Sequence, residues 1–140
     1  MNDWALITGA SSGIGRELAK LFAANQFNLI LVARDEARLT QLAGELRSQH
    51  SIQTQVLPHD LSRPGAAEAI FGALATTPVS ILVNNAGLGY YGAFADARLI
   101  QQSEMMQVNM TALVELTHLF LKPMLARKSG RILNVASTAA

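Results

Sequence analysis

Five short apolar runs, set apart by stretches with helical spacing, restrict this chain more than any other feature of it. Runs rich in Leu, Ile and Val occur at Trp4–Ile7, Leu29–Ala33, Val56–Leu57, Val79–Val83 and Ile132–Val135. Between them, apolar residues recur at three- and four-residue intervals. Leu18, Leu21 and Phe22 share one helix face, Leu39, Leu42 and Leu46 a second, and Ile70, Phe71 and Leu74 a third. The segment after Asp96 carries apolar residues on more than one face, notably Leu113, Leu116, Phe120 and Met124, which implies cover on more than one side. Strands that are apolar throughout and separated by helices belong in a parallel sheet with helices on both faces. With right-handed crossovers, the expected strand order is 3-2-1-4-5.

Size and composition agree with this. A chain of 140 residues, half of them apolar, fits one domain spanning 1–140. Eleven basic and ten acidic residues leave a formal net charge of +1, with no basic stripe to favour nucleic acid or an anionic membrane. No apolar run approaches the roughly 18 residues of a membrane span. Met1-Asn2-Asp3-Trp4 carries an acid where a signal peptide carries positive charge, so a cytoplasmic protein is expected. The absence of cysteine excludes disulfides, thiolate catalysis and zinc–thiolate sites, and His50, His59 and His118 lack metal-ligand spacing. No metal site is expected.

The strongest chemical signal follows the first run: Thr8-Gly9-Ala10-Ser11-Ser12-Gly13-Ile14-Gly15, with an amphipathic helix starting inside it. Glycine is needed where the backbone takes positive φ, or where a phosphate approaches without a Cβ in its way. The helix start adds unpaired N–H groups and roughly half a unit of positive charge. Together these suit a pyrophosphate. The spacing Gly-x-x-x-Gly-x-Gly differs from the Gly-x-Gly-x-x-Gly of most dinucleotide folds, and a P-loop would need Gly-Lys-Ser/Thr. A plain strand-to-helix turn is the alternative reading.

The turn resembles the Thr-Gly-x-x-x-Gly-x-Gly motif of the short-chain dehydrogenase/reductase family, and four further matches follow in order. Asn84-Asn85-Ala86-Gly87 ends the fourth run, where the family has Asn-Asn-Ala-Gly. Asp60-Leu61 follows the third, where the family places an acid against the adenine. Asn109 falls at the family's helix-distorting catalytic asparagine, and Ser137 ends Gly130–Ser137 at its catalytic serine. The resemblance covers all 140 residues. It implies a Rossmann-type fold and hydride transfer between nicotinamide and a small carbonyl or alcohol substrate. With the family's neighbours of the fifth strand and the long helix absent, Ile132–Val135 would be a bare edge, and a homo-oligomer is expected. It assigns Ser137 and Asn109 to catalysis. It assigns Gly9, Ser11, Ser12, Gly13, Ile14, Gly15, Asp60, Leu61, Asn85, Ala86 and Gly87 to the cofactor. Taken singly, Asn84, Asn85, Asp60 and Ser137 also read as local turn formers at strand ends, and Asn109 as an exposed helix residue.

Cofactor choice turns on the second run. An Asp or Glu at its end would bind the ribose hydroxyls of NAD and repel the extra phosphate of NADP. Ala33 stands there instead, followed by Arg34 at a helix start, where a cation opposes the helix dipole unless an anion comes to it. NADP is therefore the expected cofactor. Asp35 complicates the reading, because it can cap the helix and pair with nearby arginines.

The resemblance also implies a Tyr-x-x-x-Lys pair about a dozen residues past the serine. Tyr90 and Tyr91 are followed four residues on by Phe94 and Ala95, so neither supplies it. The chain reads as truncated at Ala140, able to bind cofactor but inactive by itself. A non-catalytic nucleotide-binding or interaction module is the alternative. A methyltransferase would want an acid where Ala33 stands, and a sugar-nucleotide epimerase a different glycine spacing.

Overall fold

The computed structural model describes residues 3–137. The expected domain limits at residues 1 and 140, and the truncation expected at Ala140, lie outside the described residues. Five strands form one sheet: β1 Trp4–Thr8, β2 Asn28–Ala33, β3 Thr54–Pro58, β4 Val79–Asn84 and β5 Arg131–Asn134. Every neighbouring pair is parallel, in the expected order β3-β2-β1-β4-β5. The helices are α1 Gly13–Ala24, α2 Glu36–Gln49, α3 Ala66–Ala73, α4 Leu99–Met106 and α5 Ala112–Arg127. A π-helical turn at Gln107–Thr111 joins the last two into one long rod.

Alternation along the strands sorts the core into two layers. Leu6, Ile30, Val32 and Leu82 face α3 and α5, where Ile70, Leu116, Phe120 and Met124 bury. Phe71 and Phe120 meet edge to face there, 5.1 Å between centroids. Ala5, Ile7, Leu29, Leu31 and Val83 face α1 and α2, where Leu39, Leu42 and Leu46 bury as their spacing requires. The apolar run Val56–Leu57 marks only the centre of β3. As the outer strand beside β2 it is half-buried, and so less apolar in sequence than the strands inside.

One helix face departs from expectation. In α1 the buried residues are Gly15, Ala19 and Ala23, spaced four apart, while Leu18 and Phe22 are half-buried and Leu21 is 61% exposed. Small side chains let α1 lie close against β1 and β2, and that closeness rotates the larger residues toward the rim. Hydrophobic spacing alone does not separate a face packed by leucine from one packed by alanine.

At the other edge, β5 pairs only with β4 among the described residues, and Leu133 is 41% exposed. Among the described residues, no helix is long and apolar enough to cross a membrane, and no three His, Asp or Glu side chains gather as a metal site.

The packing of α1 sets a sharp contrast between two substitutions. Ala19→Leu should destabilise the chain by about 1–3 kcal/mol through overpacking, whereas Leu21→Ala should stay within about 0.5 kcal/mol of the parent. Urea unfolding of both variants checks this, and a larger loss for Leu21→Ala would reverse the assignment of the buried face.

Candidate functional site

The site is built around the hydroxyl of Thr8, the last residue of β1. It donates to Val83 O (3.3 Å) and accepts from the backbone N–H groups of Asn85 and Ala86, both at 3.0 Å. One donor and two acceptor positions are a hydroxyl's full capacity, and here all are used inside the protein. The Asn85 side chain returns the connection, its Nδ2 donating to Thr8 O (3.0 Å) and Gly9 O (3.3 Å). The turn after β1 is thereby clasped to the end of β4, its neighbour in the sheet.

The glycines follow from that clasp. Gly9 has φ +66°, and a Cβ there would lie 2.9 Å from Ala86 Cα. A Cβ on Gly15 would fall onto Gly9 O and the Asn85 amide nitrogen. Gly13 has open space around it and is needed instead for its φ of +53°. Ser12 precedes α1 without a side-chain cap, and no acid occupies the first turn. The first N–H groups of the helix are left for an anion.

A cleft of about 490 Å³ opens over this turn. Gly9, Ser11, Ser12 and Ile14 line it from the turn itself, and Asn85, Ala86 and Gly87 from beyond β4. Arg34 lines it beyond β2, and Asp60 and Leu61 beyond β3. Gly13 and Gly15 do not line it. Gly15 is buried beneath the turn, and Gly13 borders a larger groove of about 920 Å³ between α1 and α2. That groove includes no residue from a strand end, so the glycine-built turn reaches only its margin.

Asp35 has one clear duty. It caps α2, accepting from Arg38 N at 3.0 Å, and pairs with Arg38 Nε at 3.3 Å. Arg34, immediately before it, forms no hydrogen bond or ion pair among the described residues and stays exposed at the cleft wall. Asp60 is held in place by Ser62, whose N–H and Oγ both donate to Oδ1, at 3.0 and 2.8 Å. Partial burial pushes its carboxyl pKa up, but the Ser62 hydrogen bonds and the charges of Arg34 and Arg63 outweigh this and leave it below the ordinary value.

The two residues expected to be catalytic lie outside the cleft. Asn109 sits in the π-helical turn, so the helix is distorted where the resemblance implied. Its amide forms a two-bond pair with the Leu88 backbone. Leu88 N donates to Oδ1 and Nδ2 donates to Leu88 O, each at 2.8 Å. The neighbouring Val108, not Asn109, lines the cleft. Ser137 is exposed three residues beyond β5, at the same end of the sheet as Asn84–Gly87. Asn84 is buried. Its Nδ2 donates to Thr117 Oγ1 (3.1 Å) and to Asn134 Oδ1 (2.9 Å), its register partner on β5, while its own Oδ1 has no partner among the described residues.

Several cleft or clasp residues escaped the sequence reading. Thr8 was visible only as a motif letter. A polar residue closing an otherwise apolar strand was the available signal. Arg38 and His59 line the cleft, and Arg38 stands four residues past Arg34 on the helix that follows, a spacing that could have flagged it. Thr117 and Asn134 gave no signal, because only the sheet register brings them to Asn84.

Comparison with known proteins places this geometry. The sequence profile of the short chain dehydrogenase family matches residues 3–140. A 7beta-hydroxysteroid dehydrogenase from Collinsella aerofaciens is 32% identical over 135 residues, which is 96% of this chain and 51% of that protein. A very-long-chain 3-oxoacyl-CoA reductase from Laccaria bicolor is 36% identical over 140 residues, 97% of this chain and 41% of the relative. Among solved structures, a bulky-bulky ketone specific alcohol dehydrogenase from Comamonas testosteroni superposes with a TM-score of 0.92 at 34% identity, covering 97% of this chain and 55% of that one. A short-chain dehydrogenase from Sphingobium yanoikuyae in complex with NADPH also gives 0.92, at 36% identity, over 97% and 54%. The chain thus spans about half the length of the curated relatives it matches. The clasped glycine turn, the parallel sheet and these likenesses agree that the chain belongs to the short-chain dehydrogenase family.

Proposed function

We propose that these residues form one dinucleotide-binding domain of an NADP(H)-dependent oxidoreductase that interconverts a carbonyl and an alcohol. Arg34 carries the reading. It forms no hydrogen bond or ion pair among the described residues, although Asp60 feels its charge, and it stands at the wall of a cleft lined by Gly9, Ser11, Ser12 and Ile14 of the β1 turn. The donor set fits the cofactor. Gly9 and Gly15 are required by the clasp, since a Cβ at either would collide with Ala86, Asn85 or Gly9, and Gly9 with Ser11, Ser12 and Ile14 presents the turn to the cleft. Of the turn, Ser11, Ser12 and Ile14 line the cleft and would hold the pyrophosphate, Arg34 the ribose phosphate, and Asp60 and Leu61 the adenine side. Asn85, Ala86 and Gly87 would border the other half of the dinucleotide. Several solved relatives support the choice, including the Sphingobium enzyme with NADPH and an L-sorbose reductase from Gluconobacter frateurii with NADPH and L-sorbose.

When bound, the nicotinamide supplies or accepts the hydride. In the assembled active site Ser137 would donate a hydrogen bond to the substrate oxygen, and Asn109 would hold the helix distortion and the segment after Gly87 in position. The sequence given contains no Tyr-x-x-x-Lys. The 140-residue polypeptide by itself therefore binds cofactor without turnover, since the general acid/base contributes roughly 10²–10⁴ in rate. The exposed edge of β5 and the uncovered helix residues Met106, Met110, Val114 and Leu125 favour a homo-oligomer.

Fluorescence titration tests the cofactor assignment. NADPH should bind about tenfold or more tightly than NADH, and Arg34→Ala should remove most of that difference, because one charge-assisted pair is worth roughly ten- to a hundredfold. Equal affinities in the parent chain would remove Arg34 from the argument. The same polypeptide, loaded with NADPH, should show no oxidation above background with a panel of ketones, and steady turnover after rigorous purification would mean another acid has been overlooked. Light scattering across a dilution series should show a concentration-dependent mass. A constant monomer mass with a cooperative unfolding transition would mean that the edge of β5 needs no partner.

A further inference from the structure

His59 stands in the cleft wall, half-buried, and its side chain forms no hydrogen bond or ion pair among the described residues. The sheet fixes where it stands. β2 and β3 run in register as far as Ala33 and Pro58. The ladder continues one step further, because His59 N donates to Ala33 O at 3.0 Å. That step sets His59 beside Arg34 at neighbouring strand ends, and both line the cleft. The acids around this pair are engaged with other partners. Asp35, at the start of α2, holds Arg38 at 3.3 Å. Asp60, next to His59 in the chain, takes Ser62 on Oδ1 and Arg63 on Oδ2, the latter at 3.7 Å. The β1 turn brings the uncharged Ser11 and Ser12, and the β4 side brings Asn85, Ala86 and Gly87.

A ribose phosphate at Arg34 therefore meets an imidazole from the next strand. Phosphate monoesters carry a charge close to −2 above about pH 6, and histidine changes charge between about pH 5 and 8. One arginine leaves such a dianion half neutralised. Without a phosphate, Arg34 and an imidazolium repel each other; a dianion between them replaces that repulsion with two attractions. Asp60, whose carboxyl lies below its ordinary value despite partial burial, is a carboxylate throughout this range and supplies no pH dependence of its own. Resting on the dinucleotide reading above, we infer that His59 is a second specificity residue for the cofactor: its imidazolium joins Arg34 on the ribose phosphate, so that NADP(H) takes up a proton from solvent on binding and NAD(H) does not.

The test titrates the 140-residue chain with NADPH and with NADH at about pH 6.5 and about pH 8.5, on either side of the histidine range. We expect NADPH to bind about fivefold or more tightly at the lower pH, as one added charge-assisted contact predicts, and NADH affinity to change by less than about twofold. His59→Gln, neutral at both pH values, should abolish the dependence by holding NADPH at the weaker affinity. His59→Lys, charged at both, should abolish it by holding the tighter one, an outcome that a merely structural role does not give. Calorimetry of the parent chain near about pH 7.5, where the phosphate is already a dianion, needs no variant to fold. Repeated in two buffers of different ionisation enthalpy, it should show proton uptake with NADPH and none with NADH. Equal NADPH affinities at the two pH values, a dependence that survives His59→Gln, or binding without proton uptake would overturn the inference and leave Arg34 in place. A parallel loss of NADH and NADPH in His59→Gln would overturn it too, by assigning the imidazole to the adenine that both cofactors share. Failure of NADPH to bind at either pH would remove the dinucleotide reading itself, and the inference with it.

Discussion

The hydroxyl of Thr8 ties together the parts of this molecule on which everything else rests. It sits at 1% exposure between β1 and β4, with all three of its hydrogen-bonding positions used. Two of its partners are backbone N–H groups at the bend after β4, and stranding such a group away from water costs about 1–3 kcal/mol. With the Asn85 amide returning to Thr8 O and Gly9 O, the turn after β1 has little freedom to move relative to β4. The bare glycines are consequences of this closeness. A fold that brings Ala86 and Asn85 this near to Gly9 and Gly15 has no volume for a side chain at either position.

Charge at the cleft is arranged by a similar economy. Asp35 is committed to the start of α2, capping the helix and holding Arg38, and this separates it from the arginine that precedes it. An acid near Arg34 therefore does not neutralise it. Asp60 pairs with Arg63 Nε at 3.7 Å and feels the charge of Arg34, while its Oδ1 is fixed by Ser62. Three arginines, Arg34, Arg38 and Arg63, stand beside the two carboxylates Asp35 and Asp60 there, which leaves a net positive charge.

The π-helical turn does for the β4 side what Thr8 does for the centre. A turn of this kind interrupts the regular i to i−4 ladder, and such bulges favour functional positions. Here it accompanies an asparagine, a poor interior helix residue, whose amide is spent on the backbone of Leu88 rather than on its own helix. The long α4–α5 rod and the segment after Gly87 are thus joined through Asn109, with Tyr90 Oη reaching Glu104 as a second link. Asn84 makes a further cross-connection, to Asn134 and Thr117, and keeps one buried oxygen unpaired among the described residues.

Hydrophobic periodicity was sufficient for the fold class, the strand order and the faces of α2 and α3, because leucine and isoleucine at regular spacing have no other favourable place than a core. It misassigned α1, where alanine and glycine face the sheet and Leu21 faces water. The glycine spacing, Arg34 and the Asn-Asn-Ala-Gly segment were legible because backbone conformation and charge are properties of residue type. That Asp35 serves Arg38 and leaves Arg34 unpaired was decided by the start of α2. That Thr8 meets Asn85, and Asn84 meets Asn134, was decided by the register of strands more than forty residues apart in sequence. Local chemistry is written along the chain. Which polar groups satisfy one another across a sheet depends on how its strands align, and only the folded structure holds that information.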